Sequence, residues 1–83
     1  MARLAEEIRQ YVLVTAVAPA RRRGRRTVRV RAGDVHRGMG LQNRMPAACA
    51  ALDAAVFARS AGVMLTSREG PPRGATAAWL FEL

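Results

Sequence analysis

The sequence predicts a single α+β domain in which three helices pack on a small antiparallel sheet that ends in a C-terminal β-hairpin. Three observations predict it. The chain has 83 residues and a hydrophobic fraction of 51%, which suits one packed domain and argues against global disorder. Apolar residues recur at helical spacing, then at alternate positions, then at helical spacing again. Near the end, a glycine- and proline-rich tip separates two short runs of strand-forming residues. A domain of this size buries only about 60% of the surface its unfolded chain exposes, so most of its few large apolar side chains are expected in the core.

Residues 2–14 read as a helix, because Leu4, Ile8, Tyr11 and Val12 share one face while Arg3, Glu6, Glu7, Arg9 and Gln10 fill the other. The β-branched run at 12–17 leaves its end open between helix and strand. Pro19 is expected to close it, since the residue before a proline is pushed out of the helical region. Residues 19–26 carry five arginines within positions 21–26, whose mutual repulsion predicts a mobile loop. Residues 27–31 alternate apolar and basic, a half-buried strand with Arg29 and Arg31 outward.

Asp34 is expected to cap a short helix reaching about Met39, and Gly40 offers the left-handed residue that ends it. Asn43 is expected to cap a longer helix over residues 44–58, with Pro46 in its first turn and Met45, Cys49, Leu52 and Val56 facing inward. Gly62 ends the helical part. Residues 63–68 and 76–83 then read as strands around a loop at 69–74. Trp79, Phe81 and Leu83 alternate onto the core side of the last strand.

Charge bears most directly on function. All fourteen basic residues are arginine, against six acidic ones, for a formal net charge of +8. Codon usage in a GC-rich genome accounts for arginine over lysine but not for the excess itself, which calls for a polyanionic partner or an acidic protein surface. Other chemistry is hard to assemble. The single Cys49 makes neither an internal disulfide nor a cysteine-rich zinc site, and it shares an apolar helix face, so a buried thiol is expected. The single His36 reads as an exposed helix position with only Asp34 beside it. No catalytic residue, metal ligand set, cofactor motif or small-molecule site is assigned, and an enzyme is not expected. The apolar run at 11–18 is too short for an export or membrane segment, so a cytoplasmic, nucleoid-associated protein is expected.

Residues 33–52 resemble a helix-turn-helix: a short helix, a tight turn at Gly40, apolar Leu41, a polar cap, and a second helix with a buried face. The order helix, strand, helix, helix, strand, strand over residues 2–83, the arginine loop excluded, resembles the winged helix-turn-helix superfamily, with the final hairpin as the wing. The resemblance implies double-stranded DNA as the partner and a recognition helix near 43–54 in the major groove. Gln42, Asn43, Arg44 and Ala47 would then meet base edges, Arg44 pairing with guanine and Gln42 or Asn43 with adenine. Arg68 and Arg73 at the wing, Arg29 and Arg31 on the strand, Arg37, and the loop residues Arg21, Arg22, Arg23, Arg25 and Arg26 would contact phosphates. Beyond Ala47 the exposed stripe is nearly all alanine, interrupted by Asp53. Such a stripe suits a thymine or 5-methylcytosine methyl group, or else the surface of another protein copy or domain.

The role implied is a small transcriptional regulator or architectural protein. A homodimer through the N-terminal helix is compatible with it, because a second half-site adds affinity. The rival readings are an RNA-binding protein, a winged helix that binds protein, and a DNA-reading module of a restriction or defence factor. For Asn43 the plainer role is the helix cap alone, and for the arginines a solvated basic surface.

Overall fold

The structure, a computed structural model, describes residues 3–83, so the helix start expected at Ala2 lies outside the described residues. Helix α1 (Arg3–Val12) buries Ile8 and Val12, the face set by the heptad-like spacing. It does not stop before Pro19. A π-helical turn (Leu13–Val17) carries it into α2 (Ala18–Arg22), with Pro19 in the first turn of the new segment. A proline inside a regular helix removes one hydrogen bond and strikes the carbonyl four residues back. Widening the ladder, so that the Ala18 N–H donates to the Leu13 carbonyl, avoids both problems. The Thr15 hydroxyl donates to the Tyr11 carbonyl at 2.7 Å in the same turn. The loop expected at 19–26 is therefore helical through Arg22, and only residues 23–26 form the turn.

Strands β1 (Thr27–Arg31), β2 (Met64–Glu69) and β3 (Ala78–Glu82) form one antiparallel sheet in the order β1-β3-β2. Register sets its two ends. Arg31 and Glu69 both face Ala78 beside the hairpin loop, whereas Thr27 and Met64 both face Glu82 at the other end. A bulge between Leu65 and Ser67 interrupts β2.

Helix α3 (Ala32–Gly38) leaves β1 without a loop, its start fixed by Ala32 and Gly33 N–H donating to the carbonyls of Ala77 and Ala75 at 2.8 and 2.9 Å. Arg31, extended at φ −118° and ψ 133°, holds the cap position expected of Asp34. Asp34 lies inside the first turn, where its charge opposes the positive end of the helix dipole, and pairs with Arg37 at 3.0 Å. Gly40 adopts φ 67° as anticipated. Its N–H donates to the Arg37 carbonyl at 3.1 Å and that of Leu41 to the His36 carbonyl at 3.0 Å, the paired bonds of a Schellman termination.

The long helix expected over 44–58 is two helices, α4 (Met45–Asp53) and α5 (Ala55–Ala61), broken at Ala54 with ψ 134°. No proline or glycine causes the break. A straight helix would turn Val56 inward with Cys49 and Leu52. Instead Val56 is 41% exposed, and Phe57 enters the core edge-on to Phe81 at 5.2 Å between ring centres. Seating the larger ring changes the helical phase, and the Asp53 carboxylate is drawn at the same point to the Trp79 indole. The sheet's inner face carries Trp79 and Phe81 into one core with Ile8, Val12, Leu52 and Phe57. The chain is thus an α+β domain of one long interrupted helix, three shorter helices and a three-stranded antiparallel sheet.

Candidate nucleic-acid interface

At the hairpin end of the sheet, three segments distant in sequence converge. The start of α3 is tied to the hairpin loop by the Gly33 bond to Ala75, and the middle of α4 approaches the same loop where the Cys49 thiol lies 3.9 Å from the Gly74 carbonyl. Arg31, at the junction of β1 and α3, and Arg73, in the loop, are both exposed here. Arg29 is exposed on the outer sheet face and pairs with Glu69 at 3.1 Å.

Arg68 does not serve as a free cation at the hairpin tip. Its Nε donates to Asp53 Oδ1 at 3.0 Å and its Nη2 to Oδ2 at 3.4 Å. Its Nη1 donates to the carbonyls of Glu69 at 2.8 Å and Pro71 at 3.1 Å, and its Nη2 to that of Pro72 at 3.1 Å. A guanidinium has five N–H donors, and all five meet acceptors within the chain. The guanidinium also lies 4.7 Å above the Trp79 ring, and the side chain is only 23% exposed. The phosphate contact expected of Arg68 is therefore corrected: this residue shapes the hairpin loop and holds it to α4.

Asp53 is the centre of that arrangement. Its Oδ1 also accepts the Trp79 indole N–H at 2.7 Å, and Arg73 stands 3.7 Å from Oδ2. Burial opposes its ionisation, but the hydrogen bonds from Arg68 and Trp79 and the charges of Arg68 and Arg73 outweigh it, holding the carboxyl below its ordinary range. Sequence reading left this residue as an interruption in an alanine stripe. The available signal was a lone carboxylate in an alanine stripe, upstream of an arginine-bearing hairpin; its partners depend on the fold.

The start of α4 is assembled differently from expectation. Asn43 sits in the left-handed region at φ 54°, Arg44 holds the cap position, and no side chain of α4's own cap bonds its free amides. The cap comes from α3, because His36 Nε2 accepts the Arg44 N–H at 3.2 Å. His36 is accordingly half-buried rather than exposed. Gln42, Asn43 and the Arg44 side chain are exposed beside this joint, while Ala47 is half-buried. Arg37 is also exposed, paired with Asp34.

The arginines at 21–26 divide into two groups. Arg21 Nη2 donates to the carbonyls of Ala61 and Gly62 at 2.7 and 2.8 Å, satisfying the end of α5. Arg22, Arg23, Arg25 and Arg26 are exposed and form no ion pair among the described residues. They lie at the Thr27–Glu82 end of the sheet, opposite the hairpin loop. The structure thus brings Arg31 and Arg73 together with the α3–α4 region and separates them from the arginine turn.

Cys49 is buried as expected, and burial pushes its thiol up from the ordinary 9.0, more strongly than the Arg68 and Arg73 charges lower it. It is held as an unreactive thiol. No helix among the described residues is long and apolar enough to cross a membrane. Comparison of the chain with models of protein families, with curated proteins and with solved structures found no match in any of the three.

Proposed function

We propose that this domain is a winged helix that binds double-stranded DNA, with the start of α4 in the major groove and the 70–77 loop as the wing. The observation that carries the proposal is the joint arrangement of α3, α4 and the hairpin. Two helices meet at a left-handed glycine turn, α5 leads from the second into a hairpin bearing exposed Arg73, and the sheet order is β1-β3-β2. In that geometry Arg44, Gln42 and Asn43 are the base-reading candidates, and Ala47 permits close approach to a pyrimidine methyl. Arg31, Arg37 and Arg73 supply backbone contacts, which set position but not sequence. A net charge of +8 supports a polyanionic partner.

Fluorescence anisotropy of labelled duplexes across a salt series tests this, using the best sequence from a randomised pool and a scrambled control. The expected result is binding whose logarithm falls linearly with the logarithm of salt. Arg44→Ala should cost about 1–3 kcal/mol on the selected sequence and less on the scrambled one, whereas Arg31→Ala should weaken both alike. No binding to any duplex at low salt overturns the proposal, and stronger binding to structured RNA in competition redirects it.

A further inference from the structure

We infer that the turn at 23–26 forms a second phosphate-binding surface, so that one molecule holds two duplexes rather than one. The inference rests on the duplex-DNA reading and concerns charge that the first duplex does not use. Arg22, Arg23, Arg25 and Arg26 are exposed and free of ion pairs among the described residues, and Arg25 is fixed by its N–H donating to the Ala20 carbonyl at 3.0 Å. The turn is built at both ends: it follows a helix whose final residues are anchored through Arg21, and the Arg26 carbonyl accepts the Leu83 N–H at 2.9 Å. Arg23, Arg25 and Arg29 line one open groove of about 400 Å³ between α2 and β1, together with Thr15 and Thr27. Guanidiniums beside a threonine hydroxyl are donors suited to successive backbone phosphates.

Position makes this a separate surface. The register puts the turn at the Thr27–Glu82 end of the sheet, and the hairpin loop with the start of α3 at the Arg31–Ala78 end. A five-residue strand separates them, about 13 Å along β1 before the turn itself is counted. A duplex seated on α4 and the wing meets the hairpin end and leaves the other end facing solvent. Four unpaired cations held together there carry a self-repulsion that a polyanion relieves. Glu82, opposite Thr27, is exposed at this end and pairs with none of them.

The test is capture of a fluorescent duplex by a surface already carrying an immobilised duplex, with single-duplex anisotropy measured in parallel. Two charge-matched variants are compared. One replaces Arg22, Arg23, Arg25 and Arg26 with alanine; the other replaces Arg31, Arg37, Arg44 and Arg73. Trp79 fluorescence during thermal unfolding verifies that both fold. Wild type should capture the second duplex. The turn variant should lose capture at least about tenfold while keeping the greater part of its single-duplex affinity, and the hairpin-end variant should lose single-duplex affinity the more severely. Single-duplex binding without capture overturns the inference and leaves the duplex-DNA reading intact. So does capture that survives in the turn variant, or a turn variant that loses single-duplex binding as badly as the other. No binding of any duplex by wild type is the separate failure of the duplex-DNA reading itself.

Discussion

Replacing Arg68 with alanine removes most of the contacts that fasten the hairpin loop to α4, leaving the Arg73–Asp53 pair at 3.7 Å and the Cys49–Gly74 contact at 3.9 Å. The guanidinium makes two hydrogen bonds to Asp53, three at 3.1 Å or shorter to the carbonyls of Glu69, Pro71 and Pro72, and a cation–π contact with Trp79. Hydrogen bonds to a buried charge contribute about 1.5–3 kcal/mol each, but Asp53 and the loop carbonyls are open to water, so about 0.5 kcal/mol apiece is the appropriate scale. With about 0.5 kcal/mol for the cation–π contact, and some loop entropy returned to the variant, the net loss is about 2–3 kcal/mol. Total stability for a domain of this length is about 4–12 kcal/mol, so the loss is a large share of it. At about 4–8 °C per kcal/mol, the melting temperature should fall by roughly 10–20 °C. The assay is thermal unfolding followed through Trp79, the single tryptophan, which sits at the perturbed site. Arg68→Lys should recover less than half of the loss, because a lysine ammonium presents three donors and no planar fork. A melting temperature within about 3 °C of wild type for Arg68→Ala would refute the reasoning, since it would mean that the loop and α4 are held by other contacts.

Three further outcomes follow from the same geometry. Asp53 has a folded-state pKa below its ordinary 3.8, so the unfolded chain takes up its proton more readily; the stability it contributes is complete above that value and lost as pH falls through the depressed one. Melting temperatures between pH 5 and pH 2 should therefore decline more gently in Asp53→Asn than in wild type, from a lower starting point. Within the arginine run, Arg21→Ala should destabilise by about 1 kcal/mol through the uncapped carbonyls of Ala61 and Gly62, whereas Arg22→Ala should leave urea unfolding within about 0.5 kcal/mol of wild type. Gly70 has φ 83°, and a Cβ there would stand 2.7 Å from the Thr76 carbonyl oxygen, while one at Gly40, φ 67°, would meet nothing within 4 Å. Gly40→Ala should then cost only the left-handed penalty of about 1–2 kcal/mol, and Gly70→Ala measurably more in the same denaturant titration.

Much of the secondary structure was legible in the sequence because short-range chemistry fixes it. The period of Leu4, Ile8 and Val12, the alternation at 27–31, and the glycines at 40 and 62 each act through neighbours a few residues away. The misreadings occurred where a local preference met a tertiary demand. Pro19 argued for a helix end, and the π turn removed the clash that would have enforced it. Val56 matched the periodicity of Cys49 and Leu52, yet Phe57 buries more area and took the inward place by breaking the helix at Ala54. Asn43 and Asp34 are good caps by residue type, but Arg31, Arg44 and His36 were already positioned at those ends by the sheet and by α3.

By itself, then, the sequence determined the charge, the alternation of helix and strand, the inward placing of Trp79 and Phe81 and the place of the α3–α4 turn. All of these depend on composition or on residues close in the chain. Only the tertiary structure decided which arginines are available. Arg21 and Arg68 are alike in sequence to the cations around them, yet one closes a helix and the other a hairpin loop through partners 40 and 15 residues away. A guanidinium's function depends on which acceptors surround it, and those acceptors are brought to it by packing across the whole chain.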